Sequence, residues 1–507
     1  MTSKFMFAFG GSLLMGIAGV AHADATPFDS DLRTELEAVK AQLAELKAAQ
    51  DDQWLDQRRA EEVKTLIRDV LADADTRASL LENGMTAGHN GSRFFLASDN
   101  GGFLMEIGGM IQMRYIYSNQ DRTPETDPDD DEIVVTTVDD ENEFGFEIAR
   151  AKIRFDGHIA DPRFQYRVQL IADPGNNTAS WDEIVISYEW SDGVTLWIGE
   201  DKAPFLREEM TLPQHLLAVD RSYMNEVFTM GVVQGVGVVI DGDTVMDVPI
   251  MAHVMINDGY WSGDGATAVN PLTQSGSSQI PVDEDGLPLV DDDDFTLNFG
   301  SSSSGKNFDR DRSDFAITAR IDAKLAGDWG DMADYSSWGD ETAAFVGAAI
   351  HWEIGETGDS AFNNNFLTWT VDGSVECHGW GLAAAIVGHH TDLEHPNQVL
   401  AQDSDLYGYL VQGSYMIPNS SVEPFVRWEH LDFDNSLSDV FGNSYDDVDL
   451  LTFGANCYFN GHAAKATLDL VWALDALPLS SSQLGLQADD PHGEDQIVLR
   501  AQLQLVF

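Results

Sequence analysis

Cysteine and basic residues are scarce in this chain. Its two cysteines, Cys377 and Cys457, are too few for a disulfide framework, so they either pair with each other or remain free thiols. Lysine and arginine together number 28 against 86 aspartates and glutamates, which gives a formal charge of −58. Beyond residue 23, no segment approaches the about 20 consecutive apolar residues of a membrane helix. A helical membrane protein is therefore excluded.

Motifs of common enzymes are also missing. The chain has no Gly-x-Ser-x-Gly, His-Glu-x-x-His, phosphate loop or Cys-x-x-Cys, and His389-His390 falls in a predicted strand without an evident partner set. Asp283-Glu284-Asp285-Gly286 resembles part of a calcium loop but lacks the full ligand spacing. We expect no enzymatic activity, no cofactor, no metal site and no nucleic-acid partner.

The N-terminus is typical of an exported protein. Residues 1–23 combine Lys4, an apolar stretch from Phe5 to Val20 and the small-residue site Ala21-His22-Ala23, as in a cleaved secretory signal peptide. A transmembrane anchor is disfavoured because three glycines dilute the apolar run and the small-residue site ends it. The mature chain is expected to begin near Asp24, in a bacterial envelope.

The next segment, residues 24–86, has a helical period. A heptad seam is formed by Leu32, Leu36, Val39, Leu43 and Leu46, and a second amphipathic pattern covers residues 61–81. Because so short a heptad run needs partners to be stable, we predict a periplasmic coiled coil that favours oligomers. The alternative is an amphipathic helix lying on the chain's own fold. A linker is expected over residues 87–100.

From Gly101 to Phe507 the hydrophobic period is two. Residues 103–117 and the final residues 497–507 alternate apolar and polar side chains, which suits a wall with lipid on one side and water on the other. Such stretches predict about sixteen strands. They begin near residues 103, 144, 163, 181, 193, 230, 245, 313, 342, 364, 379, 406, 421, 447, 464 and 495.

The predicted connections alternate between short and long, as expected for a membrane barrel with short periplasmic turns and longer outer loops. One connection on the short side, residues 327–341, is longer than the others and leaves the strand count uncertain by two. A soluble β-sandwich is the alternative, but it gives no reason for alternating loop lengths. It also does not explain aromatics near strand ends, namely Tyr115, Tyr117, Tyr188, Trp190, Trp352 and Trp428.

Acidic residues concentrate in the loops, chiefly 126–132, 282–294 and 433–449. Plain solvation and a divalent-cation or surface-bridging role are both open readings. Basic residues concentrate instead in the strands, on the side opposite the apolar face. A charge facing lipid costs about 2–4 kcal/mol at mid-bilayer, so these residues are expected to line the lumen. The predicted ladder is Arg114, Arg150, Lys152, Arg154, Arg167, Arg320, Arg427 and Arg500.

Two readings of this ladder remain open. The cations could attract anions into the lumen, or each could pair with a lumenal acid such as Glu106, Asp322, Glu423 or Asp469 and leave little selectivity. Residues 202–229 form the one long loop that is apolar rather than acidic, and this composition is unsuited to outside water. We expect this loop to fold inward and narrow the lumen.

Three segments resemble one family. The run from Trp197 to Glu209, which contains Lys-Ala-Pro-Phe-Leu-Arg-Glu, together with Asp220-Arg221-Ser222 and Phe228, resembles the phosphate-selective porin O and P family. Residues 146–157 and 498–505 look like that family's second strand and its end.

The resemblance implies a homotrimer of sixteen-stranded outer-membrane barrels with an inward third loop, through which small solutes or anions diffuse. Lys202, Arg207 and Arg221 match its constriction loop. The namesakes' strongly basic pore is not matched, so we expect a general or weakly anion-preferring porin. A structural barrel that tethers the membrane through the coiled coil is the alternative. The terminal Phe507 resembles the signal read by the outer-membrane assembly machinery.

Overall fold

The computed structural model describes residues 84–120, 142–173, 178–259, 315–338, 342–356, 363–394, 403–435, 447–478, 480–481, 483–488 and 495–507. The predicted signal peptide, residues 24–83 of the predicted coiled-coil segment and the acidic runs 126–132 and 282–294 lie outside these ranges. The last two residues of that segment, Met85 and Thr86, belong to a strand instead of a helix. No helix among the described residues is long and apolar enough to cross a bilayer.

Within the described ranges, eighteen strands make up one sheet. In chain order they are β1 Met85–His89, β2 Phe94–Ser98, β3 Phe103–Gln120, β4 Asn142–Ile159, β5 Phe164–Asp173, β6 Thr178–Ser191, β7 Val194–Lys202, β8 Val232–Asp241, β9 Ile250–Asn257, β10 Phe315–Ala326, β11 Ala343–Glu356, β12 Asn363–Cys377, β13 Trp380–Glu394, β14 Asp403–Tyr415, β15 Val422–Asn435, β16 Val448–Asn460, β17 Ala464–Ala473 and β18 Gln496–Val506.

Strands β3 to β18 close into a sixteen-stranded antiparallel barrel. Each strand pairs with the next along the chain, and β18 returns to pair with β3 from Gln496↔Gln120 to Val506↔Met110. Closure satisfies both edges of the sheet, which a bilayer requires. The predicted strand count is confirmed, and each predicted strand lies within a few residues of an observed one.

The alternation of side chains separates the two faces of the wall. In β18, Leu499, Leu503 and Leu505 are exposed on the outer face, whereas Arg500, Gln502 and Gln504 are buried inside the barrel. The predicted direction of Arg500 is therefore confirmed. Large apolar side chains cover the outer face of the other strands too, with Trp190, Trp352 and Trp428 among the exposed aromatics.

A bulge in β4 keeps the two faces consistent. The register shifts between Gln112, which faces Arg150, and Met113, which faces Ile148, so that Ala149 is the extra residue. Before the bulge the outward apolar residues are even-numbered, as at Ile148, and after it they are odd-numbered, as at Ile153. This extra residue allows apolar residues on both sides of it to face outward while Arg150 faces inward.

The carboxyl terminus completes the closure. Phe507 exchanges backbone hydrogen bonds with Gly109, at 2.7 Å to the Phe507 carbonyl and 3.0 Å from its amide. A Cβ at position 109 would lie 2.6 Å from the Phe507 ring, so glycine allows the ring to rest there. The terminal aromatic thus lies at the end of the barrel that carries the short turns.

The segment 87–100, expected to be a linker, forms most of a hairpin instead. Strands β1 and β2 pair with each other, and β2 also pairs with β3 from Phe94↔Ile107 to Ala97↔Leu104. The edge of β3 is available there because β18 ends at Val506. The expectation of a linker was wrong because the alternation in this segment is only five residues long in each strand.

The long connection on the short-turn side contains no additional strand among its described residues. Residues 327–338 contain a 3-10 helix, Trp329–Ala333, followed by Tyr335, Ser336 and Ser337, which are almost fully buried. We call residues 327–338 the inward connection, because these buried residues contact the interior of the barrel. The short helices Arg207–Met210, Tyr223–Phe228 and Gly242–Met246 are α1, α2 and α3.

Candidate functional site

The third outer connection, residues 203–231, folds inside the barrel, and we call it the third loop. Its apolar side chains Phe205, Leu206 and Phe228 are 1%, 1% and 0% exposed. They pack in one cluster with inward-facing residues, mainly of strands β13 to β18. The cluster includes Val387, Leu406, Leu410, Leu431, Val448, Val471 and Val498. The apolar loop composition predicted this inward folding, and burial of the loop against an apolar stretch of the inner wall explains it.

Internal hydrogen bonds hold the loop in shape. Ser222 caps α2 by accepting a hydrogen bond from the Asn225 amide and donates its own hydroxyl hydrogen to Glu208. The Arg221 guanidinium donates to the backbone carbonyls of Glu208, Glu209 and Thr211 at 3.1–3.2 Å. These contacts satisfy carbonyls that no strand partner could satisfy at this depth.

Basic side chains of the inner barrel wall also bind the third loop. Asp220, 1% exposed, accepts from Arg114 at 2.9 Å and from Arg150 at 2.7 Å. Across the closing seam, Arg427 of β15 pairs with Glu208 at 3.3 Å, and the Lys465 ammonium of β17 donates to the Leu216 carbonyl at 2.6 Å. The basic strands therefore anchor the third loop with these four side chains.

The three predicted constriction cations have different surroundings. Lys202 and Arg221 share one carboxylate, that of Glu209, at 3.3 and 3.2 Å. Arg207 is 3% exposed and donates to Ser374 and to the carbonyls of Met332 and Asp334, the last two at 3.1 Å. The structure places all three in or beside the third loop, but it does not bring Arg207 together with the other two through an ion pair.

Arg207 joins the third loop to the inward connection. Its guanidinium carbon lies 4.8 Å from the centre of the Tyr335 ring, in a cation–π contact. Burial raises the pKa of Tyr335, so the phenol remains neutral. Beside it, burial alone would raise the pKa of Asp334, but the hydrogen bond and charge of His462 lower it below its usual value. Two connections from opposite ends thus meet inside the barrel.

The remaining ladder residues also have acidic partners. Arg320 contacts Asp322 and Asp372 at 2.6 Å, and Arg500 contacts Asp469 at 2.7 Å. Lys152 pairs with Asp182, Arg154 with Asp156, and Arg167 with Glu183 and Asp201. Among the four acids named from the sequence, Asp322 and Asp469 have these roles and Glu106 lies 3.8 Å from Arg93. Glu423 instead accepts from Ser336 and Tyr458.

Exposure divides the lumenal cations into two groups. The side chains of Arg114, Arg150, Arg221, Arg320, Arg427 and Arg500 are 0–9% exposed, whereas those of Arg93, Lys152, Arg154, Arg167 and Lys202 are 13–35% exposed. Lys324 of β10 is 17% exposed as well, but it pairs at 2.7 Å with Asp243 of α3, in the β8–β9 connection. Apart from Lys324 and from Arg93 in the β1–β2 turn, the exposed cations named here lie on β4, β5 and β7. This side of the barrel is therefore the water-accessible wall, and we call it the exposed wall.

Sequence reasoning missed several of these residues. Arg93 was assigned to a linker, Asp156 was not singled out, and Asp220 entered only as part of the family motif, without a role of its own. Asp220 carried one signal, because it is an isolated acid in an apolar stretch next to Arg221. Asp156 carried a weaker one, as it follows the basic run of β4 on the same parity.

A closed sixteen-stranded barrel with an apolar outer face, a charged and partly water-exposed inner face and an inward third loop has the build of a porin. The family model of phosphate-selective porin O and P matches residues 124–267, a segment that includes the Lys-x-Pro-Phe stretch. The resemblance predicted from that stretch is confirmed. No curated protein matches the chain.

Solved structures of similar proteins include three bacterial barrels. The anion-selective porin from Comamonas acidovorans is 10% identical with a TM-score of 0.49, over 80% of this chain and 100% of that one. The outer membrane channel DcaP of Acinetobacter baumannii is 9% identical with a TM-score of 0.46, over 81% and 99%. OmpT of Vibrio cholerae, in a trimer form, is 10% identical with a TM-score of 0.44, over 79% and 99%.

Proposed function

We propose that this protein is an outer-membrane porin through which small solutes diffuse passively. The observation that carries the proposal is the exposed wall: charged side chains that retain water access inside a closed barrel whose outer face is apolar. A structural barrel has no need of a hydrated inner face. The match to the porin O and P family over residues 124–267 supports the same function.

The rest of the proposal concerns placement and assembly. The short-turn end faces the periplasm, the signal peptide covers residues 1–23, and the coiled coil of residues 24–86 lies in the periplasm. The protein forms a homotrimer, for which the heptad seam supplies the argument from sequence. Phe507 serves the assembly machinery, which is consistent with its position as the last paired residue of the closing strand.

Bilayer conductance tests the channel function. The mature chain, folded into detergent and added to a planar lipid bilayer in KCl, is expected to give stepwise increases in current. The matched control is the same preparation after heat denaturation, which removes the barrel and not the contaminating lipid or detergent.

A preparation that is folded by circular dichroism and yet gives no current steps would contradict the porin proposal. It would favour the tethering function instead, whose own readout is loss of envelope attachment when residues 24–84 are deleted. Deletion of residues 24–84, which leaves β1 intact, is not expected to change the conductance of an inserted barrel, since the inner wall is built from residues after Gly84.

A further inference from the structure

The exposed wall does not present free positive charge. Among the described residues, each cation of this wall has a carboxylate oxygen within 4.0 Å, and the shortest distances run from 2.5 Å for Lys152 with Asp182 to 3.3 Å for Lys202 with Glu209. A phosphate ion that approached this wall would meet carboxylates as often as guanidinium groups. The exposed wall is therefore a surface of alternating positive and negative charges, and not a row of unpaired cations that would bind anions.

Asp156 is the centre of this pattern. Its carboxylate lies 2.8 Å from Arg93, 2.7 Å from Arg154 and 3.6 Å from Arg167, and it remains 20% exposed. Among the described acidic side chains of the exposed wall, Asp156 alone lies within 4.0 Å of three arginines. The Nε of Arg167, on the side facing Asp156, has no hydrogen-bond partner among the described residues.

Strand register explains why these groups converge. Asp156 of β4 is level with Glu106 of β3 and with Arg167 of β5, so the three form one row across the wall. Arg154, two residues away on the same face, is level with Gly108. A Cβ at Gly108 would lie 3.3 Å from the Arg93 Nε, so the missing side chain leaves room for Arg93 to reach the row from the β1–β2 turn.

We propose that Asp156 is a specificity-determining residue of this channel. By neutralising the arginines around it, Asp156 keeps the exposed wall balanced in charge, so that the channel passes small zwitterionic and neutral polar solutes ahead of phosphate and other oxyanions. A zwitterion can place its carboxylate near an arginine and its ammonium near Asp156 or Asp201. An anion is attracted by the arginines but repelled by these carboxylates. This inference rests on the proposed porin function and assigns its solute class.

Reversal potentials across a KCl gradient test the charge balance. The wild-type channel is expected to have an anion-to-cation permeability ratio within about threefold of unity, and Asp156→Asn to raise that ratio by about threefold, the effect of one unit charge near the ion path in water. Arg154→Gln is expected to lower it by a similar factor. A misfolded variant would not produce shifts of opposite sign.

The matched control is Asp161→Asn. Asp161 also pairs with an arginine, Arg163 at 2.9 Å, but it lies in the β4–β5 turn outside the exposed wall. Its pKa is lowered to about 2 by the hydrogen bond from Arg163, so it carries a full charge at neutral pH, as a fair control should. We expect the permeability ratio of this variant to equal that of the wild type.

Liposome swelling with glycine and acetate, which are similar in size, tests the solute class. Glycine is expected to enter wild-type liposomes at least as fast as acetate, and Asp156→Asn to raise the acetate-to-glycine rate ratio by about threefold. A wild-type channel that strongly prefers acetate, or an Asp156→Asn variant with unchanged ratios in both assays, overturns the inference. Absence of any wild-type conductance would instead overturn the porin function, so the two failures are distinguishable.

Discussion

Asp220 shows how one side chain fixes the shape of the lumen. It is almost fully buried, and its two carboxylate oxygens each accept from a different wall arginine, one on β3 and one on β4. Burial of a carboxylate is costly unless its charge is compensated, and here two guanidinium groups compensate it. The third loop therefore has one favoured position against this side of the wall.

Removing the charge of Asp220 should release the loop. In Asp220→Asn two buried arginines lose their shared counter-ion, which typically costs about 3–5 kcal/mol. We expect a lower urea midpoint for the barrel in lipid vesicles, measured by tryptophan fluorescence. Glu147→Gln is the matched control: Glu147 contacts the same Arg114 but is 41% exposed, so its loss should cost under about 1 kcal/mol. Equal effects of the two substitutions would contradict this account.

At the scale of elements, the strands and the inward folding of the third loop could be predicted from the sequence, but the partners of the side chains inside the barrel could not. The alternation between Arg500 and its leucine neighbours can be read from a few consecutive residues. It arises because one face of the strand contacts lipid and the other faces the lumen. The partners of the ladder residues come from elsewhere in the chain, as when Asp220 reaches Arg150 70 residues before it in sequence. No periodicity encodes such a contact, because the third loop crosses the lumen as irregular backbone.

The inward connection was also beyond prediction. Its length was visible in residues 327–341, but extra strands explained that length equally well. The inward fold of this connection depends on Arg207. Its buried guanidinium requires hydrogen-bond acceptors, and the carbonyls of Met332 and Asp334 provide them. The inward connection and the third loop are therefore joined by Arg207, and the ring of His215 adds a hydrogen bond to the Ala333 carbonyl at 3.1 Å.

We expect Arg207→Lys to loosen the inward connection selectively. Lysine cannot reach Ser374 and both carbonyls at once with its single ammonium, so the inward connection should open more often. Hydrogen exchange of the backbone amides in residues 327–338 is expected to accelerate by about tenfold. Arg221→Lys is the control, because Arg221 bonds only within the third loop among the contacts above. Acceleration by both substitutions, or by neither, would show that Arg207 is not the link.

For the whole molecule, charge is distributed differently in the loops and in the barrel wall. The acidic residues behind the net charge of −58 are concentrated in the loop sequences, while the cations of the barrel wall have acidic partners close by. An acidic periphery attracts cations within about a Debye length, roughly 8 Å at physiological salt. The balanced exposed wall then adds little preference of its own, so charge selectivity measured at low salt should fall as salt is raised.

The outer face suggests where copies of the chain meet. A depression on this face has a floor of small residues, Ala455, Ala466 and Ala501, and is bordered by Phe146, which is 88% exposed. Small residues let neighbouring chains approach closely in a bilayer, where a large aromatic of one copy can fill the depression of another. This surface spans β3, β4 and β16 to β18, the strands on either side of the closing seam.

Filling the depression should therefore weaken the proposed homotrimer. Ala466→Phe occupies the floor with an aromatic ring, and we expect the trimer to dissociate to monomers at lower detergent concentration, as measured by light scattering during size-exclusion chromatography. Val371→Phe is the matched control, because Val371 is also exposed on the outer face but lies on β12, away from the depression. A lipid-filled depression would leave assembly unchanged in both variants, and a wild-type protein that is monomeric in mild detergent would refute the trimer itself. Dissociation of Ala466→Phe alone would place the contact beside the seam where Phe507 closes the barrel.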